Sequence, residues 1–274
     1  MDLMDKPKVE LIRTGVKLLD SLAPEGLPKN SLVILSGESG TGKSVLLLQV
    51  VKEALKTDKP VVFVCFDDAP FSIEYIGEST GSDIKSYAEK GTLHFIDCYS
   101  FRMSPDPSKM PPHVTYVENP KNLHDVTNAI SAVVDKFKIE GRGLLVIDSI
   151  TELFSLDEPL KVIESIKKWR AEYVKKRNIL SLASVHLGLR ILEQFYELLE
   201  YVADVIIDFR YEPSLLSLGY LLKQLRIRKL KGAPHELSWA AFTVTKDGVT
   251  PLDLNKLAKK LKIPLKEVGE FEEE

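Results

Sequence analysis

Residues Gly37-Glu38-Ser39-Gly40-Thr41-Gly42-Lys43-Ser44 have the types and spacing G-x-x-x-x-G-K-[ST]. Glycines at 37, 40 and 42 let the backbone curl so that successive N–H groups point inward around an anion. Lys43 is placed to lie against the β- and γ-phosphates of a nucleotide, and the Ser44 hydroxyl to ligate magnesium. Val45 continues into a helix whose free N–H groups and positive dipole end face the same anion. The pattern predicts a nucleoside triphosphate site.

Four further residues could complete that chemistry. Asp148 closes the apolar run Leu144-Leu145-Val146-Ile147. Its carboxylate is therefore expected at the C-terminal end of a central strand, close enough to help hold the magnesium. Asp67 and Asp68 close a second apolar run, and a carboxylate there can orient or deprotonate an attacking water, with Asp68 slightly favoured. A solvated turn before Pro70 is the competing reading for that pair. His186 follows a third apolar run and could contact a γ-phosphate; a structural strand-end histidine is its alternative.

The elements that position these groups follow from periodicity. Residues 32–35 predict a buried parallel strand entering the glycine-rich loop. Leu46, Val50 and Ala54, with Leu47, Val51 and Leu55, recur at i,i+4 and predict the helix that leaves it, ending before Lys59-Pro60. More strands are expected at 61–66, 93–97, 143–149, 179–185 and 205–209. Helices are expected at 73–90 with a break at Gly81, and at 122–137, 159–177 and 190–203. The proline-rich stretch 100–119 reads as a mobile excursion. Two late strands, 220–229 and 239–245, flank the turn Lys231-Gly232-Ala233-Pro234-His235. This order predicts an α/β fold with a mainly parallel central sheet, flanking helices and an antiparallel C-terminal edge.

The 274 residues, 44% hydrophobic and 28% charged, suit one large globular domain with a substantial core. No apolar run reaches the length of a membrane span, and the acidic, proline-containing start is unlike a secretory signal. Cys65 and Cys98 lie in or beside apolar runs, which predicts reduced core thiols and a cytoplasmic setting. A net charge of −3 offers no global attraction to nucleic acid.

Over residues 9–250 the chain resembles the RecA superfamily, in particular its KaiC-like and RadA-like branch. Arg13-Thr14-Gly15, Leu19-Asp20 and Gly26-Leu27-Pro28 are similar to the family's T-G-x-x-x-L-D-x-L and G-L-P motifs. Phe66-Asp67-Asp68-Ala69-Pro70 occupies the place of an F-E-E-T-P-like segment that carries the family's catalytic glutamate, and Val146-Ile147-Asp148-Ser149 looks like its Walker B segment. Tyr201-Val202-Ala203-Asp204-Val205-Ile206 is similar to E-x-x-x-D-G-V-I. The turn Arg228-Lys229-Leu230-Lys231-Gly232-Ala233-Pro234-His235 resembles the K-L-R-G-T-x-H turn, which in the family reaches a neighbouring subunit's ATP. The resemblance implies a RecA-like P-loop fold over 1–250, followed by a short helical extension and acidic tail over 251–274. It also implies ATP and Mg2+ as cofactors, a homo-oligomeric ring or filament, and nucleotide contacts from Lys229, Lys231 and His235.

Aspartates replace the family's glutamates at 67 and 68, Lys231 stands where an arginine would act, and Leu18 replaces a glycine. The shorter carboxylates and the lysine, a poorer match to phosphate than a planar fork, predict weak ATP hydrolysis. The leading expectation is a slow Mg-dependent ATPase whose oligomer completes composite sites and couples nucleotide state to a protein partner. A non-hydrolysing ATP-binding regulatory module is the alternative. Direct DNA binding is disfavoured, because the segment after His186 is apolar and acidic; the basic stripe Lys223, Arg226, Arg228, Lys229 and Lys231 is its remaining support.

Overall fold

The computed structural model describes residues 10–217 and 219–253. Asp20 accounts for the spacing of the N-terminal motif. Its carboxylate accepts from the Thr14 amide at 2.8 Å, the Thr14 hydroxyl at 2.7 Å and the Gly15 amide at 3.1 Å. That brace sets helix α1 (Lys17–Leu22) between two short paired strands, β1 (Leu11–Ile12) and β2 (Leu27–Pro28).

The apolar runs form a ten-stranded sheet. Its parallel part comprises β3 (Leu32–Gly37), β4 (Val61–Cys65), β5 (Leu93–Asp97), β6 (Val114–Tyr116), β7 (Leu144–Asp148), β8 (Leu180–His186) and β9 (Val205–Tyr211). Antiparallel β10 (Lys223–Leu230), β11 (Ala240–Thr245) and β12 (Gly248–Pro251) extend one edge. The order across the sheet is β12-β11-β10-β9-β3-β8-β7-β4-β5-β6.

Side chains alternate between the two faces of each strand, so one sheet makes two cores. Val33, Leu35, Phe63, Cys65 and Val146 pack with residues of α1, α2 (Lys43–Lys56), α3 (Pro70–Ser79) and α4 (Lys85–Glu89). Ile34, Val62, Val64, Ile147 and Ala183 pack on the other side. There they meet α5 (Leu123–Lys136), α6 (Ile150–Leu156), α7 (Pro159–Trp169) and α8 (Arg190–Val202). Asn122 caps α5, accepting from the His124 amide at 3.1 Å. Helix α7 continues as a π-helical stretch, Arg170–Lys176, and a short α9 (Pro213–Ser217) follows β9.

The layout matches the expected mainly parallel sheet with an antiparallel C-terminal edge, with local differences. The helical stretch expected over 73–90 is interrupted around Gly81 as expected, between α3 and α4, but α3 begins already at Pro70. The excursion at 100–119 contains two 3₁₀ turns, Ser100–Met103 and Pro107–Lys109, and the edge strand β6. Helix α6 occupies residues left unassigned after Asp148. Strand β12 (Gly248–Pro251) extends the antiparallel edge beyond the two late strands expected. Of the extension and tail expected over 251–274, residues 254–274 lie outside the described residues.

Candidate functional site

Strand register gathers the candidate residues. Gly37, at the end of β3, pairs with His186 of β8, and Cys65, at the end of β4, pairs with Asp148 of β7. Four neighbouring strands thus stop at one edge, where ligands of open α/β sheets bind.

Between β3 and α2 the loop needs its glycines. A Cβ at Gly37 would sit 2.4 Å from the Phe209 carbonyl oxygen. Gly42, with φ +107°, turns the chain into α2 in a conformation that disfavours side chains. No side chain caps α2, which leaves its first N–H groups open to an anion. Lys43 is buried, and its Nζ donates to the carbonyls of Gly37 and Glu38, each at 2.8 Å. Burial brings its pKa down to about 8, against the opposing pull of Asp148, Asp67 and Glu38. A cation is thereby held at the centre of the loop.

Asp148 is also buried and accepts hydrogen bonds from the hydroxyls of Ser184 and Ser44. Burial raises its pKa, and those two hydroxyls work against the rise. Its peptide bond to Ser149 is cis. The contact between Ser44 and Asp148 brings two hard oxygen donors together, which fits Mg2+. That ion keeps several waters and takes few protein ligands beside substrate phosphates. Among the described residues there is no group of three or more His, Cys, Asp or Glu that could hold a metal unaided.

A cleft of about 590 Å³ adjoins the loop, lined by Ser39, Asp67, Arg102, Glu152 and His186 among others. Asp67 is fixed twice: one oxygen accepts from the Ser149 hydroxyl at 2.9 Å, and the other lies 3.0 Å from His186 Nε2. The His186 amide donates to the Thr151 hydroxyl at 2.7 Å. Asp68, which the sequence slightly favours, is not among the residues lining this cleft. Its pKa is raised by burial and by the neighbouring Asp67. Of the pair, Asp67 is the one that lines the cleft.

Lys229, Lys231 and His235 are not brought to this edge. Leu230 pairs with Val205 at the start of β9, and the Lys231 amide donates to the Asp204 carbonyl at 3.0 Å. Lys229 and Lys231 line a separate cleft of about 500 Å³ with Lys167, Arg170 and Tyr201. Lys229 Nζ donates to the Glu200 carbonyl at 2.5 Å, and His235 Nε2 is buried without a hydrogen-bond partner among the described residues. The rest of the basic stripe is largely tied down. Arg226 and Arg228 both donate to Asp208, at 3.3 and 2.7 Å, and Arg228 also pairs with Glu200.

Several contacts at the site have no counterpart among the sequence expectations. Ser184 stands two residues before His186 on the same strand, so period-two alternation pointed to it. Ser149 and Thr151 directly follow Asp148. Lys223, at the far end of β10, donates to the Gly40 carbonyl at 2.6 Å, and Arg102 arrives from the proline-rich excursion. Neither has a motif around it.

Comparison with known proteins places this geometry in context. The family model described as "ATPase: KaiC" matches residues 12–255. A circadian clock oscillator protein KaiC of Rippkaea orientalis is 28% identical over 259 residues, covering 92% of this chain and 46% of the relative. The chain thus spans about half the length of the curated clock proteins it matches. A UPF0273 protein of Aeropyrum pernix is 24% identical over 88% of this chain and 93% of its own length. The crystal structure of a KaiC-like protein from the hyperthermophilic archaeon Pyrococcus horikoshii OT3 superposes with a TM-score of 0.71 at 21% identity. That match covers 89% of this chain and all of the other, and shows the fold. With its P-loop, its strand-end carboxylates and a family match over most of its length, the chain belongs to the KaiC family of ATPases.

Proposed function

We propose that this protein binds ATP with Mg2+ and hydrolyses it slowly at sites completed between copies of the chain, coupling nucleotide state to a protein partner. One observation carries the reading. Lys43, Ser44, Asp148, Asp67 and His186 converge at one edge of the sheet, while Lys229 and Lys231 line a separate cleft at the opposite end of β10, away from the chain's own loop. Cations so placed have no use at their own nucleotide and suit a neighbour's.

In this reading the loop amides and Lys43 hold the phosphates, and Ser44 and Asp148 would be the oxygen donors for magnesium, which would supply neutralisation of phosphate charge. Asp67 accepts a proton from, or orients, the attacking water. His186 holds Asp67 in place, and the hydroxyls of Ser149 and Thr151 fix both. A carboxylate one methylene shorter than glutamate, and a lysine in the trans position, keep turnover well below roughly 10 s⁻¹.

The test is ATP turnover measured alongside molar mass by light scattering, with ATP and Mg2+. Slow turnover by an ATP-stabilised oligomer is the expected result. A strict monomer at high protein concentration would overturn the composite site. Tight ATP binding with no turnover, unrepaired by Asp67→Glu or Lys231→Arg, would replace the ATPase with a nucleotide-gated binding module.

A further inference from the structure

The cleft beside the glycine-rich loop holds a residue that neither the motifs nor the reading above employs. Arg102 lies on the 3₁₀ turn Ser100–Met103, directly after β5. Asp97, buried at the end of that strand, fixes the turn by accepting from the amides of Tyr99 at 3.0 Å and Ser100 at 2.9 Å. The guanidinium carbon stands 4.5 Å from the Phe101 ring centroid and 5.2 Å from that of Tyr99. Its Nη2 donates to Glu152 on α6, four residues beyond Asp148.

The charges around this group are unequal in kind. Among the described residues lining the cleft, Asp67 and Glu152 are the carboxylates, His186 is titratable, and Arg102 is the one permanent cation. Ser39 of the loop lines the same cleft, so the terminal phosphate of a nucleotide held by the loop would face into it. A guanidinium stacked on aromatic rings is already oriented, and its planar fork matches two phosphate oxygens as well as it matches a carboxylate. Glu152 is therefore a stand-in for such an anion, with its own attachment to a different helix.

We propose that Arg102 is a cation supplied in cis to the γ-phosphate of a bound nucleoside triphosphate, exchanged between that phosphate and Glu152. The proposal rests on the nucleotide reading of the loop and deepens it. The arginine lacking at position 231 would have a counterpart from the chain's own excursion. Because ADP has no γ-phosphate, Arg102 would also let the site distinguish triphosphate from diphosphate.

The experiment measures ATP and ADP dissociation constants by calorimetry with Mg2+, using the full chain, for the parent, Arg102→Ala, Arg102→Lys, Glu152→Gln and Lys43→Ala. Arg102→Ala should weaken ATP roughly ten- to a hundredfold and leave ADP within about twofold. Arg102→Lys should lose less. Glu152→Gln should tighten ATP severalfold, because it removes the competing carboxylate. The opposite signs separate exchange from a structural strut, whose two halves would fail in the same direction. Equal losses of ATP and ADP in Arg102→Ala, or weaker ATP binding in Glu152→Gln, would overturn the proposal while leaving the loop assignment intact. A parent that binds neither nucleotide, and does not differ from Lys43→Ala, would overturn the nucleotide reading and this proposal with it.

Discussion

Asp67 Oδ2 and His186 Nε2 lie 3.0 Å apart, although Asp67 follows β4 and His186 ends β8, and β7 runs between those strands. The pair bridges the end of β7 just above Asp148, with the Ser149 hydroxyl on the second Asp67 oxygen. A carboxylate held from two sides loses little freedom when it engages a water, and general-base assistance is worth about 10²- to 10⁴-fold. Asp67→Asn should therefore reduce ATP turnover by about two orders of magnitude without abolishing ATP binding. Asp68→Asn should change it far less. Single-turnover kinetics with saturating nucleotide decide the point, and equal effects at both positions would return the role to the pair.

Lys43 and Asp148 should separate binding from metal use. Lys43→Ala removes the cation at the loop centre and should strongly weaken affinity for ATP and ADP alike. Asp148→Asn retains the hydrogen bond partners but loses the charge, so it should raise the magnesium concentration needed for half-maximal binding. Titration of magnesium at fixed ATP reads both effects. An Asp148→Asn protein with the parent's magnesium dependence would remove that residue from the metal's surroundings.

Composite sites make a prediction about mixtures. In the proposed composite site, Asp67→Asn would damage the side of an interface that holds the nucleotide, and Lys231→Ala the side that reaches across. Mixed assemblies contain some interfaces where both contributions are intact. Turnover of the mixture should then exceed the mean of the two variants measured alone. A strictly additive result at concentrations where the proteins co-assemble would argue that Lys231 acts elsewhere.

His94 gives the stability a pH dependence remote from the site. Its ring is buried on β5, 4.6 Å from the Phe137 ring centroid, with Nε2 2.9 Å from the Thr115 hydroxyl. Burial, with Lys136 and His113 nearby, lowers its pKa from 6.5 to about 4. Between those values the unfolded chain holds a proton that the folded chain does not. Stability from this residue is therefore complete above pH 6.5 and declines as pH falls towards 4, by up to about 3 kcal/mol. Urea unfolding at pH 7, 5.5 and 4.5 should show a shallower decline for His94→Gln than for the parent. Parallel declines would mean that other groups set the acid sensitivity.

The glycine-rich loop and Asp148 were legible because each is announced locally: one by a motif, the other by an apolar run that ends in a charge. Strand β6 was not, since three half-buried residues cannot display a period of two. The seven residues of α6 were similarly too few to show a helical face. Choosing between Asp67 and Asp68 required the chain's path after Cys65, where the strand ends and alternation no longer predicts direction. Arg102 was invisible for a stronger reason. Its meaning depends on Glu152, fifty residues away, and on a fold that brings an excursion back over the sheet edge.

Strand β10 has one end at the chain's own loop, through Lys223 on the Gly40 carbonyl, and the other at Lys229 beside the distant cleft. At about 3.4 Å per residue it spans roughly 24 Å as one extended piece of main chain. Its ladder with β9 shifts register between Ile227 and Lys229, close to the outward end. In an assembly of copies this strand would be a tie-rod between successive nucleotides, wiring them in series rather than in parallel.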